Sequence, residues 1–180
     1  MPQYHSQQQF TVMPWKNGGG STVELLRLPA TAADYDLRLS VAAIKKNGPF
    51  SEFPFMDRTL LILEGNGVEL SFDDRLEFLG TASAPFDFGG EERIHCDLVS
   101  GEVQDFNVMI KRSWGVARTS VRDLKLNEDF LVTCDADHSF AYVHQQASGP
   151  GLWSLVRDET MILRPDQDSR VILVKIFRTI

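Results

Sequence analysis

Tyr35-Asp36-Leu37-Arg38-Leu39-Ser40-Val41 alternates without a break, with Tyr35, Leu37, Leu39 and Val41 on one side of an extended chain and Asp36, Arg38 and Ser40 on the other. A helix would scatter these residues around its axis, so the period of two predicts a strand that turns Arg38 and Ser40 away from its leucine face. Asp105-Phe-Asn-Val-Met-Ile-Lys111 repeats the pattern, setting Asp105, Asn107 and Met109 against Phe106, Val108 and Ile110. Between these runs, Arg58-Thr-Leu-Leu-Ile-Leu-Glu64 is followed by Gly-Asn-Gly and Val68-Glu-Leu-Ser-Phe72. An Asn-Gly step between two apolar runs predicts a hairpin over residues 58–72. Phe86-Asp-Phe-Gly-Gly-Glu-Glu-Arg93 reads as a turn.

The second half keeps the same style. Phe130–Cys134, Ser139–His144, Leu152–Val156, Glu159–Leu163 and Arg170–Phe177 are short apolar runs separated by turn signals such as Gly149-Pro-Gly151. No segment has the period of a helix. The expectation is an all-β chain of two packed antiparallel β units, residues 1–112 and 113–180, with an interface near residue 113 and no linker between them.

Composition narrows the function. With 180 residues and a formal charge of −7, the chain is long enough for a proper core and lacks the clustered Lys and Arg that nucleic acid requires. The N-terminus does not read as a signal peptide and no apolar run is long enough to span a bilayer, so the expected location is the cytoplasm, with no membrane partner. Cys96 and Cys134 form no CxxC pair, which fits buried thiols in a reducing compartment. A homodimer is left open. The 12 arginines outnumber the 6 lysines, and several interrupt apolar runs. A guanidinium meets a carboxylate through two parallel hydrogen bonds and stays charged when partly buried, although a solvated strand face is the readier account of any single arginine taken without context.

Catalytic motifs are mostly missing. His5, His95, His138 and His144 show no ligand spacing, so neither a metal nor another cofactor is expected. His95 and Cys96 are strand neighbours on opposite faces and cannot pair as base and nucleophile. A nucleophile elbow, a phosphate loop and a dinucleotide fingerprint are absent. What stands out instead is Met13-Pro-Trp-Lys-Asn-Gly-Gly-Gly-Ser-Thr-Val-Glu-Leu25. Three consecutive glycines lose much backbone entropy on ordering, and a folded protein keeps them where φ must be positive or another group approaches closely. The run is either a glycine-rich turn whose Trp15 belongs to the core or a docking loop that offers an apolar ring, a cation and an amide to a small anion. Lys16, Asn17, Glu24, Arg38, Ser51, Arg58, Asp105 and Asn107 form a polar set which, if it converges, makes a cationic pocket selective for a small carboxylate. Glu24 or Asp105 would then hold an arginine in place.

The glycine-run segment, Arg38-Leu-Ser-Val-Ala42, Asn47-Gly-Pro-Phe-Ser-Glu-Phe-Pro-Phe-Met-Asp-Arg58, Leu63-Glu-Gly-Asn-Gly67 and Asp105–Arg112 resemble, in order and spacing, the HutD/Ves family. The resemblance covers about residues 10–112. It implies a cupin-type fold in a two-barrel (bicupin, RmlC-like jelly-roll) arrangement without the histidine-rich metal motif. It also implies a role in histidine utilisation, in which a small acid such as formylglutamate or urocanate is bound and pathway output is limited. Carried over by position, the ligand-binding residues are Trp15, Lys16, Asn17, Thr22, Glu24, Arg38, Arg58 and Asn107. Val23, where relatives place an arginine, and Phe55, where a small residue is usual, depart from the pattern. The competing expectation is an isomerase or hydrolase in the same pocket, with Glu24 or Asp105 as general base.

Overall fold

The computed structural model describes residues 1–30 and 34–179. Its strands, in chain order, are β1 (Gln3–Ser6), β2 (Thr11–Pro14), β3 (Gly20–Leu28), β4 (Leu37–Ile44), β5 (Gly48–Pro49), β6 (Met56–Glu64), β7 (Val68–Ser71), β8 (Leu76–Leu79) and β9 (Phe86–Gly89). They continue with β10 (His95–Leu98), β11 (Val103–Lys111), β12 (Gly115–Leu124), β13 (Phe130–Thr133), β14 (His138–Val143), β15 (Gly151–Val156), β16 (Thr160–Leu163) and β17 (Ser169–Arg178). Among the described residues the one helical element is a short 3-10 turn, Gln7–Gln9. No helix there is long and apolar enough to cross a membrane.

The chain divides into two compact units, Thr11–Trp114 and a second made of Met1–Phe10 with Gly115–Ile180. This corrects the expected division of 1–112 and 113–180. The first ten residues belong with the C-terminal half because β1 pairs antiparallel with β15, Tyr4 opposite Trp153.

In the Thr11–Trp114 unit, a six-stranded sheet in the order β2-β3-β4-β11-β6-β9 accompanies a four-stranded sheet, β5-β10-β7-β8. Every pairing in both is antiparallel. Ile44, Leu60 and Ile62 of the larger sheet meet Val68, Leu70, Leu79 and Cys96 of the smaller one in a single core cluster. The hairpin expected over residues 58–72 is not formed. Both edges of β7 are taken along its length, by β8 and β10, while β6 pairs with β11 and, over Asp57–Leu60, with β9. Gly65 and Gly67, with φ of 98° and 97°, carry the chain from one sheet to the other. The Asn-Gly signal marks a turn, but pairing across it needs a free edge. The turn expected at Phe86 likewise begins as a strand, β9, seated on β6.

In the second unit, the order β1-β15-β14-β17-β12 makes a five-stranded sheet, with β13-β16 as a separate pair. Leu124, Val132, Cys134, Ala141, Val143, Leu155, Leu163 and Val171 form its core cluster.

Candidate functional site

The register of the six-stranded sheet generates the site. Reading across β4, β11, β6 and β9, Arg38 lies beside Met109, Met109 beside Arg58 and Arg58 beside Phe88. The next row on the same face is Glu24, Ser40, Asn107 and Leu60, and the one after it Thr22, Ala42, Asp105 and Ile62. Side chains directly opposite on paired strands share a face, so polar residues spaced by two on β4 and β11 become one polar field. The opposite faces of these strands carry Leu37, Leu39, Phe106 and Val108, all fully buried.

Over this field lies a cavity of about 480 Å³. Its floor is Arg38, Ser40, Ala42, Asp105, Asn107, Met109 and Arg58, with Thr22 on the β3 side. Pro49, Phe50, Ser51 and Phe53 wall another side, and the β2–β3 connection contributes Met13 to Asn17. Phe50 N–H donates to the Ile94 carbonyl (2.9 Å) and Phe53 N–H to that of Gly90 (2.6 Å), which fixes the aromatic wall although it has no regular strand.

The glycine run is a turn and a cavity wall at once. Trp15 N–H donates to the Gly20 carbonyl (2.9 Å) and Gly18 N–H to that of Trp15 (3.0 Å), closing the connection, while Gly18 has φ of 66°. A Cβ on Gly20 would collide with the Ala43 carbonyl oxygen and crowd the Trp15 ring at 3.1 Å, so the close approach of β3 and β4 depends on this glycine. Asn17 Oδ1 accepts from Gly19 N–H (2.9 Å), and Trp15 Nε1–H donates to Thr22 Oγ1 (2.8 Å). Lys16 is exposed and makes no ion pair among the described residues.

Arg58 is the central group. It is 7% exposed, and its guanidinium lies 4.9–5.5 Å from the ring centroids of Phe88, Phe53 and Phe50. It donates to Asn107 Oδ1 (3.1 Å) and to the Ser51 carbonyl (3.5 Å), both neutral acceptors. Burial lowers its pKa to about 10, the nearby Asp105 charge opposing that fall. No carboxylate forms an ion pair with it among the described residues.

Glu24 departs from expectation. It is absent from the cavity lining and acts behind it, accepting from Arg38 Nε (2.8 Å) and from Arg27 through Nε (3.1 Å) and Nη2 (2.9 Å). Burial pushes its carboxyl up, but the two arginines outweigh that and hold it below the ordinary range. Glu24 therefore serves as a clamp on Arg38, as the sequence allowed, and its lone pairs are committed. A bulge between Glu24 and Leu26 brings Arg27 opposite Arg38. The sequence pattern carries no sign of that shift, and so none of the role of Arg27.

Asp105 is 2% exposed, lines the cavity, and has an Oδ1 without a hydrogen-bond partner. Burial raises its pKa to about 7, against the pull of Arg58, the Asn107 side chain and the Ala42 main chain. Of the eight expected ligand residues, Trp15, Lys16, Asn17, Thr22, Arg38, Arg58 and Asn107 share the cavity, and Glu24 alone stands off. Ser40 and Met109 follow from strand alternation with Arg38 and Asn107. Phe50 and Phe53 follow from no periodicity, since their segment is irregular. The two departures from the family pattern lie outside the cavity. Val23 pairs with Val41 on the other face of β3, and Phe55 is an exposed residue held at φ of 69°, where a glycine fits more easily. Among the described residues no group of three or more His, Cys, Asp or Glu side chains is placed to hold a metal ion.

A family model described as HutD matches residues 7–173. Protein Ves of Escherichia fergusonii is 32% identical over 122 residues, covering 67% of this chain and 64% of that protein. An uncharacterized 21.2 kDa protein in the hutC 3' region of Pseudomonas putida is 38% identical over 109 residues, covering 57% of this chain and 54% of that protein. The matched region thus spans less than two thirds of either relative's length. In three dimensions the chain is similar to HutD from Pseudomonas fluorescens SBW25, solved in a formate condition, with a TM-score of 0.74, 24% identity, and coverage of 99% of this chain and 100% of that one.

Proposed function

The chain belongs to the HutD family, in the cupin fold, and on that premise we propose that its Thr11–Trp114 unit binds a small carboxylate metabolite of the formylglutamate or urocanate class. Binding takes place without a metal and makes the protein a cytoplasmic regulator of histidine utilisation, each unit being a cupin-type barrel of a bicupin. The Pseudomonas putida relative, which lies in the hutC 3' region, supports the pathway.

One observation carries the ligand class. Arg58 is a nine-tenths buried cation whose hydrogen-bond acceptors are neutral, and it opens into a cavity with a second guanidinium and an exposed lysine. A buried charge with no carboxylate in direct contact is costly, and a carboxylate guest would complete it through charge-assisted bonds. Arg38, already clamped by Glu24, and Lys16 at the loop add attraction for the same sign of charge. The catalytic reading loses one of its two candidate bases, because Glu24 is occupied by two arginines.

Calorimetry with N-formylglutamate and urocanate tests the reading. Arg58→Ala is expected to weaken the bound acid by roughly 10- to 150-fold, the equivalent of about 1.5–3 kcal/mol for a hydrogen bond to a charged group. Arg38→Ala is expected to cost less. Failure of both acids, and of glutamate and formate beside them, to bind the wild-type protein would remove the proposal.

A further inference from the structure

Two arginines and one glutamate meet beside the cavity, and of the three side chains Arg38 alone lines it. Glu24 and Arg27 are three apart in sequence and would point to opposite faces of a regular strand. The bulge after Glu24 returns Arg27 to the same face, directly opposite Arg38. Like charges directly opposed on neighbouring strands repel, so a register that pairs two arginines calls for an explanation. The hydrogen bonds supply one. Arg27 takes both oxygens of the Glu24 carboxylate, Nε to Oε1 (3.1 Å) and Nη2 to Oε2 (2.9 Å). Arg38 reaches Oε2 alone, through Nε (2.8 Å), and its two Nη groups meet no acceptor among the described residues. All three side chains are partly buried, so water screens their charges only in part.

We propose that Arg27 is a positioning residue for the bound acid: by occupying both oxygens of Glu24 it keeps that carboxylate from closing on Arg38, and so leaves the Arg38 Nη groups to the guest. The inference rests on the carboxylate reading and assigns to it a residue that lies outside the cavity. Without Arg27, Glu24 Oε1 would lose its donor. A replacement is carried by Arg38, whose Nε already bonds Oε2, because a guanidinium offers Nε and Nη side by side to the two oxygens of one carboxylate, as Arg27 now does. Glu24 would then hold Arg38 by two bonds, cancel its charge at close range and withdraw an amino group from the cavity. The guest would be left with Arg58, whose bonds already go to Asn107 and to the Ser51 carbonyl. Arg27 thus turns what would be a neutral Arg38–Glu24 pair into a cluster with an excess of positive charge where an acid would bind.

The test is a double-mutant cycle on the full-length protein, read by calorimetry with N-formyl-L-glutamate and with urocanate. Arg27→Met keeps an unbranched apolar stem without the charge or the donors, and is expected to weaken whichever acid the wild-type protein binds by about five-fold or more. In a Glu24→Gln background no carboxylate remains to close on Arg38, and the same substitution is expected to change affinity by about two-fold or less. Wild-type affinity in Arg27→Met would overturn the inference and leave the carboxylate reading standing. An equal loss in both backgrounds would overturn it too, since lost packing or a diffuse field acts whether or not Glu24 is charged. Should Arg27→Met fail to fold, Arg27→Gln, which is neutral but still able to donate to Glu24, is judged by the same two comparisons. If neither acid binds the wild-type protein, the carboxylate reading falls and takes this inference with it.

Discussion

β11 and β14 are both central strands of their sheets, and both alternate, yet one builds a cavity floor and the other a core. β11 turns Asp105, Asn107 and Met109 toward the cavity, whereas β14 turns Ala141 and Val143 into a cluster with Leu124, Leu155 and Val171. The pleat offers the same positions in each case. What differs is which residues fill three successive rows, and a run of polar side chains there leaves a space that apolar neighbours cannot close. The two units also differ in where backbone strain sits. Among the described residues, the non-glycine residues at positive φ in the C-terminal unit are Asn127 and Asp158, types that tolerate it, and in the cavity-bearing unit it is Phe55.

The sharpest break would come from the core of the second unit. Leu155 is 1% exposed, and Leu155→Ala is expected to cost about 2–5 kcal/mol in urea denaturation while leaving the affinity of the folded protein for carboxylates unchanged. A parallel loss of affinity would show that the contrast between the units is false.

A second measurement exploits the titration of Asp105. Its folded pKa, about 7, lies above its ordinary 3.8, so between these values the folded chain holds a proton that the unfolded chain has released. The proton therefore favours folding on the acid side, and that contribution is lost as the pH rises through about 7. Two titratable groups that act electrostatically with Asp105 keep their charge state over this range, since burial lowers the Arg58 pKa only to about 10 and raises that of the Cys96 thiol to about 12. Wild-type stability is expected to fall between pH 5 and 8 by up to a few kcal/mol more than that of Asp105→Asn. Identical slopes for the two proteins would show that Asp105 is ionised throughout.

The smallest effect concerns strain. Phe55→Gly is expected to raise stability by about 1 kcal/mol, and Asn127→Gly by only a few tenths, both read from thermal or urea unfolding. A destabilising Phe55→Gly would mean that the exposed ring contributes contacts that outweigh its backbone conformation.

Alternation alone made the polar floor readable. Arg38 and Ser40 opposite the leucines of β4, and Asp105 and Asn107 opposite Phe106 and Val108, were set by a period of two that no partner strand can alter. Pairing was less readable, because the Gly65-Asn66-Gly67 turn looks the same whether the chain returns beside its own strand or crosses to another sheet. Occupancy of both β7 edges decides that, and it depends on strands beyond the turn, β8 and β10. Phe50 and Phe53 were invisible for a different reason. Their wall is held by main-chain bonds to Ile94 and Gly90, which leave no mark on side-chain pattern. The sequence offers Glu24 both as a clamp and as a ligand contact, and only the first fits its place behind Arg38.

The extra residue at Leu25 has a consequence for what this strand can hold. Opposite Ser40 stands Glu24, and one step later the count slips so that Leu26 meets Leu39 and Arg27 meets Arg38. Paired without that bulge, the same sequence would set Leu25 against Leu39 and Leu26 against Arg38, moving Arg27 off the clamp. The double grip on the Glu24 carboxylate thus depends on where the strand slips as well as on which side chains it carries.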